Sequence, residues 1–455
     1  MPKRRASASC KGSRNTEGRP CRPKKRIRPL NVFEKEQETA STSKSAKKLQ
    51  NRMVDVEIDA KFGYRIINFV AVFSAISNHV KCSTCGGKVE FLESSIRGLG
   101  FKILITCNAC EPRGVFSSPL IGGNAYDINR RIAFAMRLLG QGLAGIEKFC
   151  GIMDLPRPVI HKSYVYIQKN IFCAAKAVWE KIREKAGEEE KMLTLQAATC
   201  KKLNGLSVSG DGTWKKLGSS TLYGVCTVIG HYSKKVLDVV IKSSYCKACA
   251  HWEKQKDTEE YAEWKKTHDA KCFANHTGSA RKMEVDAIVD IFQRSLEVHG
   301  IRYLFYIGDG DSKTFAAILK SKPYGDVLVQ KKELEILGGY NQNCNESVNS
   351  VTWKIASKIS SESAEVVEIA AYIACSTFNE GAMAYLNVMQ VLNLKIGDKA
   401  QQWSVYADQQ CVNAADLQAQ ESTRKARSAR RLERFAAEDI LADAEGLQYG
   451  AGTAE

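Results

Sequence analysis

Nowhere does this chain run apolar for long. Its longest hydrophobic stretches, such as residues 66–76, are short and broken by polar side chains, which excludes a membrane-spanning helix of about 20 residues. An apolar leader is also missing from the N-terminus, so the sequence predicts neither export nor a membrane partner. Acidic side chains are scarce in residues 1–50, where 15 Lys/Arg stand against 4 Asp/Glu, and most of the formal charge of +17 is concentrated there. The clusters Lys3-Arg4-Arg5 and 22–28 (RPKKRIR, with Lys24, Lys25, Arg26 and Arg28) sit among Ser, Pro, Gly and Thr, with few apolar neighbours. So little buriable surface predicts a disordered basic tail over 1–55, suited to DNA backbone contact and to the nuclear import machinery, hence a nuclear protein.

The chain has 16 cysteines. Without a secretory context they predict reduced thiols and metal ligands, not a disulfide framework. Cys82-x-x-Cys85 and Cys107-x-x-Cys110 flank two β-rich runs, 89–91 and 101–106. This spacing predicts a zinc ribbon within residues 56–122, its four thiolates closing a structural Zn²⁺ site. A second set, Cys246-x-x-Cys249 and His268-x-x-x-Cys272, has the ligand types of a Cys₃His zinc site in an insertion spanning 245–276, with His251 or His276 as alternatives to His268. Between these two cysteine regions, 123–200 reads as helical. Apolar residues recur at three- and four-residue steps from Ile128 to Leu139, from Leu143 to Cys150, and from Tyr164 to Ile182. Two short helices and a longer one opening near Arg157, His161 and Lys162 fit a helix-turn-helix with its basic end in a DNA groove; a plain helical bundle fits the same pattern.

Two apolar runs end in acid. Residues 205–209 run into Gly210-Asp211-Gly212-Thr213-Trp214, and 303–307 run into Gly308-Asp309-Gly310-Asp311-Ser312. Gly beside Asp at a strand's carboxyl end predicts a sharp exit that presents the carboxylate. Strands at 205–211, 222–229 and 236–242, a helix over 280–298, a strand at 302–307, a helix at 312–319 and a strand at 327–330 follow the order of an RNase H-like α/β domain. In that order the first and fourth strands are neighbours, so Asp211 and Asp309 meet. Crowded carboxylates call for a hard cation, Mg²⁺ or Mn²⁺. Glu346, in the first turn of a helix opening within 341–350, is either a third ligand or a partner of the helix dipole.

The stretches GDGTW (210–214), YIGDGDSK (306–313) and NQNCNESVNSVTW (341–353), together with the Cys/His insertion, resemble Mutator-like transposases over roughly residues 60–450. The resemblance implies an RNase H-like nuclease over 201–360, followed by a helical region over 361–455. It implies a catalytic triad matched by Asp211, Asp309 and Glu346, with Asp311 as the alternate middle residue. Mg²⁺-assisted hydrolysis and strand transfer at transposon terminal repeats and target DNA would be the activity. The mixed-charge stretch 421–445 reads as a solvated helix, with DNA backbone contact or homodimer packing as alternatives. The family pattern has a longer segment before the Glu-bearing helix, so the 35 residues from Asp311 to Glu346 read as an internal deletion. The alternative is therefore an inactive or co-opted, zinc-containing DNA-binding protein. A zinc-dependent interaction module without a nucleic-acid partner is a third class.

Overall fold

The computed structural model describes residues 49, 56–197, 204–217, 220–307, 312–332, 343–357 and 363–421. Helix α1 (Phe69–Ser77) is N-capped by Asn68, whose side chain accepts a hydrogen bond from the Ala71 N–H at 2.9 Å. Strands β1 (Val89–Arg97), β2 (Gly100–Cys107) and β3 (Arg113–Phe116) form an antiparallel sheet in that order. Gly98 turns β1 into β2 at φ +62°, and Gly100 leaves room for the Tyr126 ring, which a Cβ would overlap. Phe69 and Phe73 of α1 pack on Phe101 and Phe91 of the sheet, with ring centroids 5.5 and 5.1 Å apart.

Helices α2 (Asp127–Leu138), α3 (Leu143–Ile152) and α4 (His161–Ala197) follow. They match the three apolar repeats. Over 37 residues, α4 buries a stripe from Tyr164 through Ile171, Val178 and Ile182 to Glu190. One face of the helix is therefore core, while the opposite face and both ends, including the basic opening turn, stay exposed.

The second sheet comprises β4 (Leu206–Leu217), β5 (Ser220–Gly230), β6 (Val236–Ser243), β7 (Tyr303–Ile307) and β8 (Gln330–Lys331), ordered β6-β5-β4-β7-β8. Pairing is antiparallel from β4 to β6 and parallel from β4 to β7 and from β7 to β8. The first and fourth strands of this unit are thus neighbours. Between β6 and β7 the chain forms α5 (Lys247–Trp252), α6 (Glu259–His268), α7 (Ala280–Gln293) and α8 (Ser295–His299). Helix α9 (Ser312–Ser321) precedes β8; α10 (Asn343–Ile355), α11 (Ala364–Glu380), α12 (Met383–Val391) and α13 (Asp398–Glu421) follow it. One sheet face packs Val208, Cys226 and Val228 against Ile288, Ile291 and Phe292 of α7. The other packs Tyr223, Val225 and Ile229 with α4, α10 and α11. Helices on both faces explain why these strands read as nearly continuous apolar runs.

Three expectations shift. The helix expected over 280–298 breaks at Arg294, and Leu296 is 44% exposed, not core. The strand expected at 327–330 reduces to Gln330–Lys331, with Leu328 turned outward. Gly210-Asp211-Gly212 is not a strand exit: β4 continues to Leu217, because β5 pairs with it through Thr213 and Trp214. The two glycines serve α7 instead, since Cβ atoms there would lie 2.8 Å from Ile288 Cδ1 and 2.9 Å from Glu284 Cγ.

The break at Arg294 has a buried partner. Asp238 of β6 accepts hydrogen bonds from Arg294 Nε and Nη2, both at 2.7 Å, and from the Val239 N–H at 2.9 Å, with Arg183 Nη1 of α4 at 3.6 Å. Removing this carboxylate leaves two guanidinium groups without their counter-charge. Asp238→Ala is expected to cost about 3–5 kcal/mol in urea unfolding. A loss below about 1 kcal/mol, the range of an exposed pair, would show that the network contributes little.

Candidate active site and metal centres

In the first cysteine set, the Cys82–Gly87 turn is closed by Gly86 N–H to Cys82 O at 2.8 Å and Cys82 N–H to Gly87 O at 2.9 Å. Gly86 supplies a φ of +69°. The turn faces the end of β2, placing Cys82 Sγ 3.8 Å from Cys110 Sγ and Cys85 Sγ 3.6 Å from Cys107 Sγ. A tetrahedral zinc with bonds of about 2.3 Å to sulfur separates its ligands by about 3.7 Å. Backbone N–H groups of Cys85 and Thr84 bring the Cys82 thiol down to about 6, whereas hydrogen bonds with Cys107, Cys85 and Cys82 push Cys110 up to about 12. The site ionises one thiol readily and resists ionising the last. A divalent cation removes that resistance.

The second set assembles in the same way. His268 Nε2 lies 3.4 Å from Cys246 Sγ and 3.3 Å from Cys249 Sγ, and Cys249 Sγ lies 3.5 Å from Cys272 Sγ. Burial raises the Cys246 thiol, but the N–H groups of Cys249, Phe273 and Ala248, with His268, outweigh it and bring it to about 6. Burial and the thiols of Cys272 and Cys246 push Cys249 up to about 12. His268, not an alternative, completes the set: His251 is exposed outside it, and His276 Nδ1 sits 3.2 Å from Asp286 Oδ2. Trp264 stacks on the His268 ring at 4.4 Å and on Trp252 at 5.2 Å. Neither α5 nor α6 buries a side chain, so this stack and the ligand cluster hold the insertion together.

The acidic residues come next. Asp211 is half-buried in the middle of β4, opposite Thr227 of β5. It lies just past the segment where β4 pairs with β7, whose last register pair is Ser209 with Ile307. Helix α10 crosses this point. Asn349 Nδ2 donates to Asp211 Oδ2 at 3.0 Å, Trp353 Nε1 donates to Thr213 Oγ1 at 2.8 Å, and Thr227 Oγ1 donates to Asn345 Oδ1 at 3.4 Å. Glu346 lies exposed one turn before Asn349, and both line a groove of about 530 Å³ with Thr213, Ser350, Trp353 and Lys354. Residues 308–311, including Asp309 and Asp311, lie outside the described residues, as do Lys24, Lys25, Arg26 and Arg28 of the tail. Arg157 is exposed and pairs with Glu147 at 3.6 Å, and Lys162 is exposed in the first turn of α4.

Asn349 and Thr213 are not among the site residues that the sequence points to. Both carried a signal: Thr213 is two positions beyond Asp211 on the same strand face, and Asn349 is three beyond Glu346 on the same helix face.

The model of the Mutator-like transposase family matches residues 63–336, more than half of the chain and a narrower span than the resemblance over 60–450. It takes in both cysteine sets, Asp211 and Asp309, and ends before Glu346. Neither the curated proteins nor the solved structures contain a match to the chain. With its two ligand clusters and its mixed sheet, the chain belongs to the Mutator-like transposase family.

Proposed function

We propose that this protein is a DNA transposase whose five-stranded sheet is an RNase H-like catalytic domain. The observation that carries the reading is the hydrogen bond from Asn349 to Asp211, which spans 138 positions and lays the helix bearing Glu346 across β4. The strand order and the parallel β4–β7 pair support it. Asp309 is two residues beyond Ile307, as Asp211 is two beyond its register partner Ser209. Asp211, Asp309 and Glu346 would hold Mg²⁺ or Mn²⁺, with Asp311 the alternate middle residue; all are hard oxygen donors. The bound cations would activate the attacking oxygen and stabilise the leaving one. Water attacks a phosphodiester and frees a 3′-hydroxyl, which then attacks the target strand.

Zn²⁺ in the two cysteine clusters would be structural, since each offers four protein ligands and leaves no open position. The basic tail, Arg157 and Lys162 would contact DNA backbone, and the tail would direct nuclear import. Self-association in pairs belongs to the same reading.

One observation favours a second reading, a transposon-derived DNA-binding protein that does not cut. The family match ends at 336, before the helix that carries Glu346. A supercoiled plasmid carrying the sequences that flank the gene separates the two. The first reading expects nicking in Mg²⁺ or Mn²⁺ that EDTA abolishes. Retarded but uncut plasmid in both metals would leave the second.

A further inference from the structure

The amide of Asn349 is satisfied on one side only. Its nitrogen donates to Asp211 Oδ2 at 3.0 Å, while its oxygen is buried with no hydrogen-bond partner. An unmet buried acceptor costs about 1–3 kcal/mol. Such atoms call for an explanation, and a bound ion is one.

The surroundings indicate what fits there. Helix α10 is pinned on either side of Asn349, by Trp353 to Thr213 and by Thr227 to Asn345, so the height and rotation of the amide are set by the fold. Glu346, Asn349, Ser350 and Trp353 fall at i, i+3, i+4 and i+7, on one face that lines the groove beside Thr213. The donors gathered around Asp211 are carboxylate and amide oxygens. That chemistry suits a hard divalent cation and differs from the thiolate sets of the cysteine clusters.

We propose that Asn349 both positions Asp211 and adds a neutral ligand to the acidic site, an inference that rests on reading Asp211 as a metal ligand. Its amide nitrogen holds Asp211 in one rotamer, and its amide oxygen supplies one further oxygen donor to a divalent cation. A neutral donor adds ligation without adding a charge that repels Asp211. The helix thereby contributes through two residues one turn apart, Glu346 by charge and Asn349 by orientation.

The test is Mn²⁺ affinity of the full, zinc-loaded chain, followed by the electron paramagnetic resonance signal of free Mn²⁺ and independent of any cleavage. Asn349→Leu removes both the donor and the oxygen and should weaken Mn²⁺ binding by about tenfold or more. Asn349→Asp keeps an oxygen donor but loses the N–H that holds Asp211 and sets a second negative charge beside it, so it should bind Mn²⁺ more tightly than the Leu variant and release it more steeply as pH falls. If Leu lowers the melting midpoint, Asn349→Ser, smaller and polar, takes its place with the same expected loss. Asp211→Asn losing Mn²⁺ while the Leu or Ser variant binds like wild type would overturn the role of Asn349 and leave the metal site standing. Equal Mn²⁺ binding by wild type and Asp211→Asn would remove the metal role of Asp211, and the role of Asn349 with it.

Discussion

Asp211→Asn is expected to reduce metal-dependent nicking of the plasmid to background while DNA retardation stays at the wild-type level. The substitution keeps size and shape but removes the charge that holds a cation. It should not disturb the fold, because β4 is paired with β5 on both sides of this position and an amide oxygen there can still accept the Asn349 hydrogen bond. Glu346→Gln should act in the same direction, since its carboxylate is exposed on the groove and available to a cation. Asp309→Asn should match Asp211→Asn, and Asp311→Asn should retain more activity; the reverse order would move the middle ligand two positions. Nicking is quantified as open-circular product over time, alongside gel retardation. Wild-type nicking by Asp211→Asn would end the catalytic reading of β4, and nicking lost together with retardation would point to misfolding.

How much was legible beforehand follows from the range of each signal. The cysteine clusters are written locally. A Cys-x-x-Cys turn fixes two ligands within four residues, and the two pairs needed only a hairpin, β1 to β2, to face each other. The order of strands and helices was legible for a similar reason, since each element carries its own periodicity.

What failed depended on partners distant in sequence. Gly210-Asp211-Gly212 looked like an exit because glycine often turns a chain. In the fold the same glycines admit Ile288 and Glu284 of α7, and β5 holds the segment extended. Leu296 fits the helical repeat of α7, but the helix stops at Arg294, whose side chain is bound by Asp238 in another element. Residues 161–182 suggested a surface recognition helix as readily as a core one. Contact with α11 and with the sheet buries one stripe of α4 and leaves its basic opening turn exposed, so the two readings are not exclusive. Likewise, nothing in α10's own periodicity says which face meets β4. That is set by Trp353 finding Thr213 and Asn349 finding Asp211.

Purified under reducing conditions, the chain is expected to carry about two zinc ions, because each of two clusters offers four ligands. Stripping them should unfold two segments and leave the central sheet intact. The ribbon depends on its metal because no residue of β3 is buried and β1 buries only Val89, so its core is limited to the half-buried β2, the phenylalanine contacts with α1 and the Tyr126 ring against Gly100. The insertion depends on it more, since α5 and α6 bury nothing. Structural zinc contributes about 10–16 kcal/mol of binding free energy, more than either segment could recover from packing. The central sheet lies between two apolar cores to which neither ligand set belongs, so its cooperative unfolding should persist. Cys85→Ser and Cys249→Ser should each lose one equivalent of zinc. Cys249→Ser should also shift tryptophan emission, because Trp264 stacks on the ligand His268, and should open 246–272 to protease. Elemental analysis finding no zinc would sink the assignment. Loss of both equivalents in either single variant would show that the two sites are not independent.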